Sequence, residues 1–142
     1  MNRAQIEEEV RRIRELWTAD RMAILNKAYS SESIHSGVTA FYEDWLDYRF
    51  VKMIEVAKGT GGVPYSRIYQ FEHGCLIFAL IEGDEAHRLY FKSDKLFRLR
   101  YAPDAGRTDI YIDYEYSDLP DYLDIEEFAF NEAYRLYDLA RG

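Results

Sequence analysis

The side chains of this sequence that titrate near neutral pH are its three histidines. His35 falls in a predicted polar loop and His73 in a predicted turn, where an exposed histidine needs no functional role. His73 and Cys75 flank a turn residue, so they do not form the spaced ligand set that a metal site requires. Only His87, in a predicted strand, has neighbours with which it could do chemistry.

His87 is predicted to lie in a row of charged side chains across a sheet. If the strands are joined by two-residue turns, Arg67 and Arg100 share its face, and Arg98 lies two residues from Arg100. Two guanidiniums beside an imidazole can bind a carboxylate or a phosphate in a pocket between sheet and helix. The alternative, which we favour, is that the arginines pair with helix carboxylates. The candidate carboxylates are those of Glu8, Glu15 and Glu132.

No residue pattern in the chain predicts catalysis. No Ser, Cys or carboxylate near His87 completes a nucleophile–base arrangement. Glu82 and Glu85 flank a predicted turn, where we expect both carboxylates to be hydrated, whereas acid–base catalysis needs two carboxylates in different environments. The glycine-rich run 59–62 leads to Pro64 between strands, so it does not predict a phosphate-binding loop before a helix. We therefore expect no catalytic residue, no metal and no cofactor.

An aromatic and acidic segment follows the predicted sheet. The sequence from Thr108 to Tyr134 has nine Asp or Glu residues and no Lys or Arg, whereas the remainder has 17 acidic and 18 basic residues. This segment could bind a basic protein, hold a cation, or form a hydrated edge whose tyrosines pack on the sheet. The hydrated edge is the simplest interpretation, and the basic protein partner is the functional one. Its predicted contact residues are Tyr111, Asp113, Tyr114, Glu115, Tyr116, Asp118 and Asp121.

Composition limits the class of function. The chain has 142 residues and a net charge of −8, which suits one domain and disfavours binding to nucleic acid or to an anionic membrane. No run of about 18 apolar residues predicts a membrane span. The first residues lack the apolar core of a signal peptide, so we expect a cytoplasmic location, or an extracytoplasmic one if a leader has been removed.

Two functional classes remain open at this stage. The preferred one is a non-enzymatic binding or protein-interaction module that uses the acidic, Tyr-rich surface. The alternative is a small-molecule-binding or enzymatic domain. Its cone-shaped pocket would lie between the sheet and the N-terminal helix, with Arg67, His87 and Arg100 as polar contacts.

Apolar periodicity predicts helices at both ends of one α+β domain, residues 1–142. One helix is expected at about 3–29 and another at about 121–140, with the strands between them, within 38–116. Aromatic and β-branched residues over 38–57 predict a hairpin. A helix over 45–57 is the competing interpretation, and we favour the strand.

Pairs of turn residues recur every ten positions in the middle of the chain. Read as two-residue reversals, they predict an antiparallel meander of five to seven strands with an N-terminal and a C-terminal helix packed on it. They place Phe71, Phe78 and Leu80 on one face as core, and Ile81 and Leu99 on the other. The second face is too apolar to be hydrated, so it is either covered or used in a homodimer. The turn pairs are His73-Gly74, Gly83-Asp84 and Ser93-Asp94, between strands at 65–72, 75–82, 85–92 and 95–102.

Two hairpin sequences resemble those of a group of small, uncharacterised bacterial proteins. The residues are Tyr69-Gln-Phe71-Glu-His-Gly74-Cys-Leu76 and Arg88-Leu-Tyr90-Phe91-Lys-Ser-Asp94-Lys-Leu96-Phe97, where Asp94 replaces the turn glycine. The resemblance covers residues 3–140 and implies a helix, hairpins of the form aromatic-x-aromatic-x-x-Gly-x-Leu, and an aromatic acidic helix. Relatives of this kind are often exported. The resemblance implies no activity and no site residues.

Overall fold

The computed structural model describes residues 1–115 and 123–142. Within these residues, eight strands form one antiparallel sheet in which each strand pairs with the next along the chain. One helix precedes the sheet and another follows it, so the predicted α+β meander with terminal helices is confirmed, with eight strands in place of five to seven. The elements are α1 (Arg3–Leu25), β1 (Ser30–His35), β2 (Val38–Trp45), β3 (Tyr48–Val56), β4 (Ser66–Glu72), β5 (Cys75–Glu82), β6 (Ala86–Lys92), β7 (Lys95–Ala102), β8 (Ile112–Glu115) and α2 (Leu123–Arg141).

The first strand, β1, is the element that the sequence analysis missed. It is polar and mostly exposed, and it pairs with β2 at the edge of the sheet. An edge strand is held by backbone hydrogen bonds and does not need an apolar face, so its sequence carries no alternating signal. The predicted hairpin over 38–57 is confirmed, because β3 is a strand and not a helix.

The helix α1 begins at a capping box and ends earlier than predicted. The side chains of Asn2 and Gln5 each accept a hydrogen bond of 2.8 Å from the other residue's backbone N–H. The helix ends at Leu25 because Lys27 adopts a left-handed backbone with φ of 58°, which a right-handed helix cannot include. The predicted start of the second helix, at 121, lies outside the described residues. Neither described helix is long and apolar enough to cross a membrane.

Both faces of the sheet are buried, one under each helix. The helix α2 packs through Ala129 and Leu136 on one face, and α1 packs through Val10 and Ile13 on the other. Burial of each large apolar side chain contributes roughly 1.5–3 kcal/mol, so these two layers hold the helices in place. The predicted second face, which suggested a homodimer, is therefore covered by both helices. Of its predicted residues, Ile77, Tyr90 and Phe97 lie under α1, whereas Ile81 and Leu99 lie under α2.

The strand register differs from the predicted one by one residue in three places. The pairing shifts within the β4–β5 and β6–β7 hairpins, and the β5–β6 connection has three residues instead of two. A shift of one residue moves a side chain to the opposite face of the sheet. The predicted row that joined Arg67, His87 and Arg100 is therefore wrong. The observed cross-strand row is Arg67, Ile81, His87 and Tyr101.

The backbone angles explain which turns were predicted correctly. His73 and Gly74 have φ of 51° and 79°, and Ser93 and Asp94 have φ of 51° and 62°, as two-residue type I′ turns require. Gly83 lacks the positive φ that a type II′ turn needs at its first position. The β5–β6 connection therefore takes a third residue. As a result Phe78 and Leu80 lie under α1, whereas Ile81 and Leu99 lie under α2.

Candidate functional site

Arg67 is buried in a polar network that joins α2 to β4. Its Nε and Nη2 donate to the two carboxylate oxygens of Glu132 at 2.7 and 2.8 Å, and only 1% of the arginine is exposed. The remaining guanidinium bonds reach the backbone oxygens of Tyr65 and Thr60. Burial raises the pKa of Glu132, but hydrogen bonds from Arg67 and Tyr69 outweigh it and lower the pKa overall. Arg67 is thus occupied by the pairing that the sequence analysis favoured.

His87 lies on the α2 side of the sheet, away from Arg100. Its ring centroid is 5.1 Å from that of Tyr101, its cross-strand neighbour. Its Nδ1 is buried and has no hydrogen-bond partner among the described residues. Burial lowers the pKa of His87 and favours the neutral imidazole. The structure therefore separates this histidine from the arginine with which it was predicted to form a pocket.

Two arginines of β7 pair with the acidic residues of β8. Arg100 donates to both carboxylate oxygens of Asp113 at 2.8 and 3.0 Å, and its guanidinium lies 3.7 Å from the centre of the Tyr111 ring. Arg98 is buried and donates to Glu115 at 2.6 Å. Burial raises the pKa of Asp113, but the hydrogen bond from Arg100 lowers it overall. The carboxylates at 113 and 115 are therefore largely neutralised by the sheet.

The rest of the predicted acidic surface has other roles or is not described. Tyr114 packs against the core under α2 and has interactions of its own. Tyr134 packs edge-on against Phe71, and its hydroxyl accepts a hydrogen bond of 2.9 Å from the backbone N–H of Leu76. These tyrosines pack on the sheet, as the hydrated-edge interpretation expected. The predicted contacts Tyr116, Asp118 and Asp121 lie outside the described residues.

A cleft of about 260 Å³ lies between α1 and the sheet and is lined by three arginines. Arg14 comes from α1, and Arg88 and Arg100 are direct cross-strand neighbours on β6 and β7. Arg88 has no hydrogen bond or ion pair with any described residue. The sequence analysis placed a pocket between the sheet and this helix but missed Arg88, because the one-residue register error put it on the other face. The apolar lining is formed by Ile13, Trp17, Phe78, Leu80 and Tyr90.

The turn between β2 and β3 presents four exposed apolar side chains, which we call the hairpin tip. The exposed fractions are 67% for Trp45, 85% for Leu46, 67% for Tyr48 and 46% for Phe50. Trp45 and Tyr48 are cross-strand partners, and the rings of Tyr48 and Phe50 stack with centroids 6.4 Å apart. The three aromatic residues share the α1 side of the hairpin, because Val51 points to the core under α2. The sequence analysis predicted a reversal here but no surface.

The surroundings of the hairpin tip are acidic. Residues 43–50 include three acidic residues and one basic residue. Arg49 pairs with Asp44 at 3.0 Å and with Glu32 of β1 at 3.1 Å. Within the described part of the chain, Glu43 and Asp47 have no such ion pair. The hairpin tip is therefore an apolar projection with a negatively charged base.

Comparison of the chain with protein-family models, curated protein sequences and solved structures finds no match. In residues 1–115 and 123–142, no group of three or more His, Cys, Asp or Glu side chains is placed to hold a metal ion. The described residues present two candidate functional surfaces, the hairpin tip and the arginine-lined cleft.

Proposed function

We propose that this protein is a non-enzymatic interaction module that binds a basic protein partner through the hairpin tip. The observation that carries the proposal is the combination of high exposure and positive φ at Leu46. This residue is 85% exposed and has a φ of 54°, in the left-handed region. It is therefore a large apolar side chain at a position where it gains no burial and strains the backbone.

The energetics of Leu46 favour a role outside the folded chain. A non-glycine residue in the left-handed region costs roughly 1–2 kcal/mol, and Gly or Asn adopts that region more readily. An exposed leucine recovers none of this cost through the hydrophobic effect. The two-residue turn requires a positive φ here but does not require a leucine, and residues held in such sparsely populated conformations are typical of functional positions. We infer that Leu46 enters an apolar pocket of a partner, with Trp45 and Tyr48 beside it.

The charge around the hairpin tip indicates the chemistry of that partner. The carboxylates of Glu43 and Asp47, which have no ion pair with any described residue, lie beside the apolar side chains in a protein whose net charge is −8. A partner pocket with Lys or Arg at its rim would complement them, and the approach of the two molecules would be accelerated at low salt. An anionic surface would instead be repelled.

The sequence predicted the partner contact in the acidic, Tyr-rich segment that begins at residue 108, and this segment is the alternative to the hairpin tip. Its carboxylates at 113 and 115 are paired with Arg98 and Arg100, which leaves less free charge for a partner. Exposed apolar side chains do occur at its start, at Ile110, Tyr111 and Ile112. The hairpin tip is favoured because its residues are more exposed and include the strained leucine.

An affinity-capture experiment with matched variants tests the proposal. The wild-type chain, L46N and a control, L139N, are immobilised and exposed to lysate of the source cells at low and moderate salt. Leu139 is an exposed leucine of α2, 52% accessible. We expect a basic protein to be retained by wild type and L139N, lost by L46N, and released as salt rises. A photocrosslinker in place of Tyr48 should attach within an apolar surface flanked by Lys or Arg.

Two results would contradict this proposal. Equal capture by L46N and wild type would show that the hairpin tip is not the contact. Loss of the captured protein from a Y111S/D109N variant, with full retention by L46N, would instead locate the contact in the segment that begins at 108.

A further inference from the structure

We propose that the cleft between α1 and the sheet is a binding site for a small organic anion, a carboxylate carried on an aromatic body. The site is independent of the hairpin tip, which is formed by β2 and β3, whereas the cleft is formed by α1 and β5–β7. Three guanidiniums and an aromatic wall line the same space, and no carboxylate of α1 is placed against it.

Among the described residues, the positive charges that line the cleft exceed the negative charges beside them, so an anion would be attracted to it. Arg88 and Arg100 are directly opposite each other across β6 and β7, and like charges in that position destabilise a sheet. Asp113 is the carboxylate in contact with Arg100, and it also lies 3.8 Å from Arg98. Arg14 donates to the hydroxyl of Tyr90 at 3.4 Å and, like Arg88, has no ion pair within the described residues. In the part of the chain that the structure describes, three positive charges thus face one shared negative charge, although the overall charge of the chain is −8.

The aromatic side chains that line the cleft favour a ligand with a flat apolar ring. Trp17 and Phe78 meet edge-on with centroids 5.0 Å apart, and Phe78 and Tyr90 are also 5.0 Å apart. A flat apolar ring can pack against these side chains while its carboxylate reaches the guanidiniums. The volume of about 260 Å³ is below the range of pockets that hold nucleotides and drug-sized ligands, so a single-ring or double-ring acid fits. Inorganic phosphate offers the charge but has no apolar body to displace water from the walls.

The register explains why this site could not be assembled from the sequence. Arg100 was predicted to line a pocket between the sheet and the N-terminal helix, together with Arg67 and His87. The observed register replaces those two by Arg88, and α1 adds Arg14. The chemical class of the ligand, a carboxylate on an apolar body, follows from this new set.

Calorimetric titration of the full chain tests the site. The probes are benzoate and indole-3-acetate, with benzyl alcohol as the neutral match and inorganic phosphate as the match without a ring. We expect saturable binding of both carboxylates, at least about tenfold tighter than either control probe. R88M should weaken benzoate binding at least about tenfold, and R14M should weaken it less, because Arg14 is more exposed. The control R135M, on α2, should bind benzoate as wild type does.

Urea unfolding of the variants without ligand separates a loss of binding from a loss of folding. Without ligand, R88M should unfold at the same or a higher urea concentration than wild type, because it relieves the opposed pair with Arg100. Binding by R88M equal to wild type would overturn the proposal. So would benzyl alcohol binding as tightly as benzoate, or phosphate binding as tightly, which would indicate an adventitious ion only.

A carboxylate of the chain itself is the other candidate to occupy the cleft between α1 and the sheet. Asp118 and Asp121 lie outside the described residues, and the variant D118N/D121N removes both charges. We expect wild type and this variant to bind benzoate alike. Binding that appears only in D118N/D121N would overturn the proposal, since an internal carboxylate would then fill the cleft. None of these results depends on the hairpin tip, and L46N should bind benzoate as wild type does.

Discussion

The arginines on the sheet are distinguished by the carboxylates within their reach. Arg67 and Arg98 are buried, and each has a carboxylate on a neighbouring element, Glu132 for the former and Glu115 for the latter. Such buried pairs fix the position of a helix or a strand, because the loss of either partner leaves an uncompensated charge. Arg88 has no such partner among the described residues. The same residue type therefore supports the fold at two positions and points to a ligand at another.

The buried pair of Arg67 and Glu132 predicts a pH-dependent loss of stability. The pKa of Glu132 is lowered in the folded state, so its contribution to stability is complete above the unfolded value of about 4.5 and is lost as pH falls below it. We expect E132Q to lower the free energy of unfolding by about 3 kcal/mol at neutral pH, because Arg67 keeps its charge without a carboxylate. Urea unfolding followed by circular dichroism measures this.

The control for E132Q is E127Q, which changes an exposed carboxylate of the same helix. E127Q should unfold as wild type does. The difference between wild type and E132Q should shrink as pH falls below about 4.5. A difference that stays constant with pH would contradict the role assigned to this pair.

At the scale of elements, the hairpins position both candidate surfaces. Their exact strand register could not be predicted from the sequence. The helices, the turns at His73-Gly74 and Ser93-Asp94 and the strands between them were predictable, because period and turn residues are local signals. Two register shifts and the third residue of the 83–85 connection leave no comparable signal. Each moves side chains to the opposite face, so the predicted pocket combined residues from both faces. The pairing of a sheet arginine with a helix carboxylate was predictable, because a buried guanidinium needs a partner, but the sequence did not single out Glu132 from Glu8 and Glu15.

The second half of α1 is held to the sheet by a buried carboxylate, which predicts a local opening when it is removed. Asp20 accepts hydrogen bonds of 2.7 Å from the hydroxyl of Tyr29 and from Nε2 of Gln70. In D20A, Nε2 of the fully buried Gln70 loses this partner, at a cost of about 1–3 kcal/mol. In D20A we expect amide hydrogen exchange to become faster than in wild type over 14–25, and less so over 3–13. The control variant D47A, which changes an exposed carboxylate, should exchange as wild type does. Unchanged exchange in D20A would contradict this anchoring role.

At the scale of the whole molecule, the unpaired negative charge and the exposed apolar side chains lie at different places from those that the sequence predicted. Part of the acidic excess after residue 108 is paired with sheet arginines, whereas the carboxylates of Glu43 and Asp47, beside the hairpin tip, have no ion pair with the described residues. The predicted second face of the sheet is packed under α1 and α2, whereas the hairpin tip stays exposed. The molecule thus presents an acidic apolar projection on one part of its surface and a basic apolar cleft on another.

Coverage of both sheet faces predicts that the protein is a monomer. A homodimer through the β5–β7 face would require displacement of α1, whose residues Val10 and Ile13 are fully buried there. We expect sedimentation equilibrium to give the mass of one chain, 16.8 kDa. A mass of two chains would contradict this prediction, and its loss in L46N would locate the association at the hairpin tip.

The central claim is that Leu46 serves a partner and not the fold, and the urea unfolding of L46N tests it most directly. Asn tolerates the φ of 54° at this turn better than Leu does, and the exposed side chain of Leu46 contributes no burial. The account predicts that L46N raises the free energy of unfolding by about 1 kcal/mol. A fall in the free energy of unfolding would contradict it, because Leu46 would then stabilise the folded chain itself.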